Sequence, residues 1–295
     1  MPERIDGIQR LTANLWIGQS RFFHTNTGIF AADGHACLVD PNMTPNELAR
    51  IHRFLRGRGL HASWIVLTHY HWDHILGPEV FPEAQVIGHE LLPQQLTGKS
   101  GADTLAAITR WEAENQIPRL HPFTIPQLDR FIDPPDSLAV GNLHLDLIAT
   151  PGHSPDQLAI YERSTATLWA SDILSDVEIP FVSDSLARFE HTLARLAGLE
   201  IDVLVPGHGF PTRDKTAIHT RIAEDRAYLA ELRSRVEASI AAGLSIDETV
   251  VRCADMRYRN PEANTIEHRR NVESVYAELG GDADPDRVGW SREYE

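Results

Sequence analysis

The chain has 295 residues, 42% of them hydrophobic and 23% charged, with a formal net charge of −15. The proportions are those of a globular protein, and the length suits one large α/β domain or two small ones. The acidic balance repels nucleic-acid phosphates and anionic lipid, so neither nucleic acid nor membrane is expected as a partner; a small molecule is.

In chain order, residues 15–17, 27–32 and 36–40 read as short strands broken by polar or glycine-containing turns such as Asp33-Gly34. Arg21-Phe22-Phe23-His24 reads as a loop whose aromatics pack on the core rather than line a pocket mouth. Asp40-Pro41 ends a strand, and Thr44-Pro45-Asn46-Glu47 then starts a helix: a capping threonine, a proline in the first turn and a glutamate three residues after the cap. Leu48, Ile51, His52 and Leu55 form its inner face, and Gly57 or Gly59 stops it. Trp64-Ile65-Val66-Leu67 reads as a buried strand, and residues 85–88 as a short one. A helix is expected over residues 104–115, with Leu105, Ile108 and Trp111 on one face, before a stretch punctuated by Pro118, Pro122, Pro126, Pro134 and Pro135. Residues 89–135 are expected as a lid insertion, a plain surface insertion being the other reading.

Residues 137–140, 143–149, 157–161 and 166–170 read as consecutive strands, the first two joined by a Gly141-Asn142 turn. A helix over 184–196, a last strand over 201–205 and a long helix over 214–242, closed by Gly243, follow. Ser245-Ile246-Asp247-Glu248 is a second capping box, and a final helix runs from after Asn260-Pro261 to about Leu279. The charged tail, 280–295, is expected to be ordered only by contact. The domain division is a catalytic domain over 1–243 and a helical extension over 244–295 packed on it. Two distant cysteines, Cys37 and Cys253, make no disulfide framework, and Cys37 reads as a small buried hydrophobe. With no signal-peptide pattern and no run long enough to span a bilayer, a cytoplasmic location is expected. A homo-oligomer is left open.

The chemistry concentrates in Thr68-His69-Tyr70-His71-Trp72-Asp73-His74, where three imidazoles and a carboxylate fall within six residues. On an extended segment His69, His71 and Asp73 point one way, with Tyr70 and Trp72 packing on the other side. His74 breaks that alternation, so the chain must turn, and Gly77-Pro78 supplies turn chemistry. This suggests two neighbouring metal sites fed from one loop. Histidine is abundant, 15 residues in 295, but burying this cluster without a cation would be costly. Imidazole and carboxylate suit Zn²⁺, with Fe or Mn as rivals. His89, Glu90 and His121 read instead as solvated surface residues, and His191, beside Glu190 on a helix, as structural or exposed.

The run resembles the His-x-His-x-Asp-His signature of the metallo-β-lactamase superfamily. That family also uses a later His, a later Asp and a final His at strand ends. Thr150-Pro151-Gly152-His153, Ala170-Ser171-Asp172 and Val205-Pro206-Gly207-His208-Gly209 offer all three, each after an apolar run. The resemblance spans roughly residues 11–242. It implies an α/β fold, the αβ/βα four-layer sandwich of two mixed β-sheets flanked by helices, with metals at one edge between the sheets. It also implies two divalent ions, one held by His69, His71 and His153, the other by Asp73, His74 and His208, with Asp172 and a water or hydroxide bridging them. Asp73 could instead orient or deprotonate that water, so it stands both as ligand and as catalytic base. The implied activity is hydrolysis of an ester, thioester or lactone. Phosphodiester or β-lactam hydrolysis comes second, iron-dependent oxidoreductase or dioxygenase chemistry third, and a non-catalytic binding role last. Asp172 in place of Cys or Ser argues against β-lactams, while Ser171 before it and Gly209 after His208 fit neither glyoxalase II-like nor lactonase-like members cleanly.

Overall fold

Period-two alternation explains how two sheets come to face each other. In a computed structural model, which describes residues 4–41, 43–119 and 121–283, successive strand residues feed different cores. Ile29 and Leu38 point outward to a helix while Phe30, Cys37 and Val39 point inward to the second sheet. In the second sheet Trp169, Val203 and Val205 point inward, and Leu168, Ala170 and Leu204 point outward. Each sheet is thus apolar on both faces, and the stable solution is a layer of helices outside each.

The first sheet runs in sequence order: β1 (Arg4–Ile5), β2 (Ile8–Arg10), β3 (Leu15–Gln19), β4 (Asn26–Ala32), β5 (His35–Val39), β6 (His61–Val66), β7 (Gln85–His89) and β8 (Arg130–Ile132). Its first half is an antiparallel meander; β5 to β8 are parallel, with α1 (Pro45–Gly57) as the crossover between β5 and β6. Helix α1 begins at the expected capping box, Thr44 with Glu47, and buries Leu48, Ile51, Phe54 and Leu55. Between β7 and β8 lie a short turn of helix, α2 (Leu92–Gln95), and α3 (Gly98–Glu114). Helix α3 starts earlier than its apolar spacing predicts. Its inner face is Thr104, Ala107, Ile108 and Trp111, and Leu105 is turned outward.

The second sheet has the order β13-β12-β11-β10-β9, from β9 (Asp136–Val140), β10 (Leu143–Ala149), β11 (Leu158–Glu162), β12 (Thr167–Ser171) and β13 (Val203–Pro206). Helix α4 (Leu186–Leu196) makes the crossover between the parallel pair β12 and β13. The long α5 (Lys215–Ala241), α6 (Ile246–Cys253) and α7 (Thr265–Glu278) share one apolar cluster with α4 and the outer face of this sheet. Helix α6 starts at the expected Ser245–Glu248 box. The sheets close tightly enough that a Cβ on Gly28 would stand 2.8 Å from the Trp169 ring, so only glycine fits there. Cys37 is fully buried between the sheets. Among the described residues no helix is long and apolar enough to cross a membrane. The end of the expected charged tail, 284–295, lies outside the described residues.

Candidate metal centre

All seven sequence-selected residues converge at one edge between the sheets, each just past a strand end. Past β6 the chain does not stay extended. Residues 72–74 wind into a single 3₁₀ turn, with the His74 N–H donating to the His71 carbonyl at 3.1 Å. The expected alternation is therefore lost, and the coil gathers His69, His71, Asp73 and His74 round one point. It has a second consequence. Tyr70 packs into the core beneath α1 as expected, but Trp72 lines the cleft instead of facing away from it.

His153 follows β10, where Gly152 lets the loop pass close to α4; a Cβ there would stand 2.4 Å from the Phe189 backbone. Asp172 follows β12 and His208 follows β13. Gly207 sits against the carboxylate: its Cβ would fall 2.0 Å from Asp172 Oδ1.

The donor atoms form two groups, His69, His71, His153 with Asp172, and Asp73, His74, His208, each with all its atoms within 4.8 Å of one another. The Asp172 carboxylate joins them. Its Oδ2 lies 3.5 Å from His69 Nε2 and His153 Nε2, 3.2 Å from His74 Nε2 and 3.3 Å from His208 Nε2. In the second group Asp73 Oδ2 is 3.2 Å from His208 Nε2 and 3.5 Å from His74 Nε2. Tetrahedral ligands at usual zinc distances stand roughly 3.3 Å from each other, which is the spacing found here.

Hydrogen bonds behind the rings select which nitrogen faces inward. Asp40 accepts from His74 Nδ1 at 3.0 Å, the Phe181 carbonyl from His153 Nδ1 at 3.2 Å, and the Phe23 carbonyl from His208 Nδ1 at 2.9 Å. His69 Nδ1 sits 3.1 Å from Thr68 Oγ1, which itself donates to Asp40 at 2.7 Å. In all four it is Nε2 that faces into the cluster, the atom whose lone pair would bind a cation once any proton on it is displaced. His71 presents Nδ1, 2.9 Å from His153 Nε2. His69 Nε2 and Asp172 Oδ1 are buried with no hydrogen-bond partner, which in a protein interior calls for another ligand. A donor set of imidazole nitrogens and carboxylate oxygens, buried, spaced for coordination and partly unpartnered, fits divalent metal.

The electrostatics agree. Burial holds His69 well below its usual pKa and His71 down to about 3, so both are neutral, ready-made ligands. His153 is lowered for the same reason. His74 and His208 go the other way. Burial lowers them, but surrounding carboxylates raise them further, Asp172 and Asp73 foremost at His74 and Glu178 and Asp172 at His208. Burial would raise Asp73 and Asp172, yet the attraction of His74 and His208 holds Asp73 at about 2 and Asp172 well below the carboxylate range. Without a cation, protons on His74 and His208 balance the carboxylates; a divalent cation supplies that charge and displaces them.

Two groups that shape this site carry no motif. Asp40, fully buried, accepts from Thr68 N at 2.8 Å as well as from His74, and thereby ties the motif loop to the end of β5. Glu178 lines the cleft 3.8 Å from His208 Nδ1, its pKa pushed up to about 7 by burial despite the pull of His208. The only hint of Asp40 is its position at the end of an apolar strand. The 21–24 loop corrects an expectation. Phe22 packs inward against Trp111, but Phe23 and His24 line the cleft mouth. Both have left-handed backbones, with φ of 51° and 53°, a conformation that costs non-glycine residues about 1–3 kcal/mol each. Of the residues set aside, Glu90, His121 and His191 are exposed as expected. His89 is buried, its Nδ1 accepting from Leu91 N at 3.1 Å.

Two facing sheets with outer helices and a strand-end cluster of histidines and carboxylates define a class of α/β proteins built round a metal-binding edge. Residues 20–208 match the family model of the metallo-β-lactamase superfamily, and the chain belongs to that superfamily. It is similar to the β-lactamase-like protein 2 homolog of Caenorhabditis elegans, at 25% identity over 264 residues, covering 86% of this chain and 78% of that one. A hydroxyacylglutathione hydrolase of Brucella anthropi is 22% identical over 231 residues, covering 75% and 78%. Among solved structures, the stereoselective inverting sec-alkylsulfatase of a Pseudomonas species shares the fold with a TM-score of 0.72 at 18% identity. The match covers 96% of this chain, which spans about half, 51%, of the sulfatase. A metallo-β-lactamase family protein of Thermus thermophilus has a TM-score of 0.65 at 22% identity, with 95% and 97% covered.

Proposed function

We propose that the protein is a dinuclear hydrolase, with zinc the best-suited metal, that cleaves an ester, thioester or lactone bond in a small molecule. The observation that carries this reading is the position of Asp172 Oδ2, within 3.5 Å of one imidazole nitrogen on each of His69, His74, His153 and His208. His69, His71 and His153 would hold one ion, Asp73, His74 and His208 the other, and Asp172 both. When bound, two divalent ions there would supply an activated water at neutral pH and polarise the bond to be broken. The chain's own contribution is orientation. The Nδ1 hydrogen bonds fix the four rings, so the donors need no reorganisation when substrate arrives. Asp73, a ligand by position, keeps its side chain 11% exposed toward the cleft, and its ionised carboxylate would accept a hydrogen bond from the attacking water and orient it.

An alkyl sulfate ester is the second reading. It draws on a linear primary-alkylsulfatase of a Pseudomonas species, 22% identical over 218 residues, of which the match covers 41%. The test loads purified protein with zinc, manganese or iron, counts metal per chain, and assays lactones, thioesters, aryl esters, an alkyl sulfate, a phosphodiester and a cephalosporin. Two metals per chain with turnover of the carboxylic esters or thioesters is expected, and Asp172→Ala should lose metal and activity together while staying folded. Two metals retained in that variant, or iron-dependent oxygen uptake in the wild type, would overturn the reading.

A further inference from the structure

The cleft above the metal centre encloses about 670 Å³, the size of a site for a drug-sized ligand and far larger than an acetyl group requires. One wall is aromatic and begins inside the metal-binding loop itself. The Trp72 ring meets Trp111 of α3 at 5.1 Å and Phe23 at 5.9 Å, the latter edge-on. The rest of the lining mixes Phe181 and Val177 with the charged Arg110, Glu114, Glu267 and Arg270, so the apolar surface is concentrated on this wall. Phe23 is 52% exposed at the mouth, and Phe210, 50% exposed, meets His24 beside it at 5.4 Å. Phe23 and His24 are both held in the left-handed region, unfavourable for non-glycine residues, and the Phe23 carbonyl also holds the ligand His208. Strain of this kind persists where the surrounding structure over-determines it, and it clusters at ligand sites.

We propose that the ledge formed by Phe23, Trp72 and Trp111 receives the apolar tail of the substrate, so that the preferred substrates are esters carrying a medium-length alkyl or an aryl group rather than a small polar acyl group. The proposal rests on the hydrolase reading and narrows it. A tail lying on the ledge is covered by rings on one side, and each methylene it adds leaves water.

Two measurements separate the ledge from the chemistry. The zinc-loaded enzyme is assayed by proton release on ethyl esters from acetate to decanoate, and saturated alkanoates of the same lengths, which cannot be turned over, are titrated by calorimetry. Specificity, as kcat/KM, and affinity should both rise about twofold to fourfold per methylene over the middle of the series. Phe23→Ala should flatten both series, lowering the octanoate-to-acetate ratio about tenfold. Phe23 is outward-facing, so the variant should fold, with Trp111→Ala as a second variant checked by circular dichroism. Series that are flat in both readouts, or unaffected by Phe23→Ala, overturn the ledge. Chain-length-dependent binding with no hydrolysis of any ester keeps the ledge and overturns the hydrolase reading.

Discussion

Asp40→Asn isolates orientation of a ligand from the ligand itself. Asp40 Oδ1 accepts from Thr68 N at 2.8 Å, and an asparagine oxygen can keep that bond. Its Oδ2 accepts from Thr68 Oγ1 at 2.7 Å and from His74 Nδ1 at 3.0 Å, and there the asparagine presents N–H groups instead. His74 Nδ1 then faces a donor, and the favoured tautomer moves the ring proton to Nε2, the atom 3.2 Å from both Asp172 Oδ2 and His208 Nε2. A proton on Nε2 removes the lone pair that would bind metal. Loss of such a supporting carboxylate typically weakens metal affinity 10- to 100-fold, about 1.4–2.7 kcal/mol. Asp40 and His74 are both fully buried, so water cannot replace the lost acceptor, and the upper half of that range is expected. Competition against a fluorescent zinc chelator measures it, with ¹⁵N chemical shifts of His74 reporting the tautomer directly. The second site should weaken and the first, which Asp40 touches only through Thr68, should weaken less. Unchanged affinity at both sites, or a His74 still protonated on Nδ1, would refute the reasoning.

Gly207→Ala should abolish tight metal binding in a folded protein, because the new Cβ would stand 2.0 Å from Asp172 Oδ1 and drive the shared carboxylate aside; metal content and circular dichroism check the two halves of the statement. Metal affinity should also fall on acidification. His74 and His208 have raised pKa values, so each holds a proton through neutrality that a cation must displace, whereas Asp73, at about 2, and Asp172, lower than usual, are already ionised. Chelator competition between pH 6 and 8 should show affinity rising with pH by up to about a hundredfold per unit, two protons released, and a pH-independent affinity would contradict the assignment.

The parts of the fold legible in the sequence were those governed by local chemistry. Thr44 with Glu47, and Ser245 with Glu248, satisfy helix-end N–H groups within four residues, and both boxes form as the spacing predicts. The short strands β1 and β2 escaped because five mostly exposed residues carry little apolar pattern. The face of α3 was misjudged at Leu105 because apolar spacing cannot tell which side a helix turns until its neighbours are known. Here Met43, Leu76 and the Trp72 ring packed near it settle the matter, favouring Thr104 and Ala107 over Leu105. The alternation argument failed at residues 69–74 for a related reason. It assumes that the strand continues, but pairing with β7 ends after the Leu67 N–H bond to Ile87, and with no ladder to hold it extended the loop coils.

At the site, the groups that would touch metal could be read and the groups that aim them could not. Coordination demands particular side chains, and imidazoles and carboxylates crowded at strand ends are rare enough to stand out. Aiming an imidazole demands only an acceptor behind it. Two of the four acceptors are backbone carbonyls, of Phe23 and Phe181, and every residue has one of those. A third, Asp40, lies 34 residues from the ring it orients and becomes its neighbour only when β5 and β6 pair. The Phe23 carbonyl reaches His208 across 185 residues, from one sheet to the other, and does so through a backbone conformation that propensity counts against. Ring orientation at this centre is therefore a property of the packed sheets rather than of any segment. That is why the substitution expected to disturb it, at Asp40, falls outside the His-x-His-x-Asp-His run.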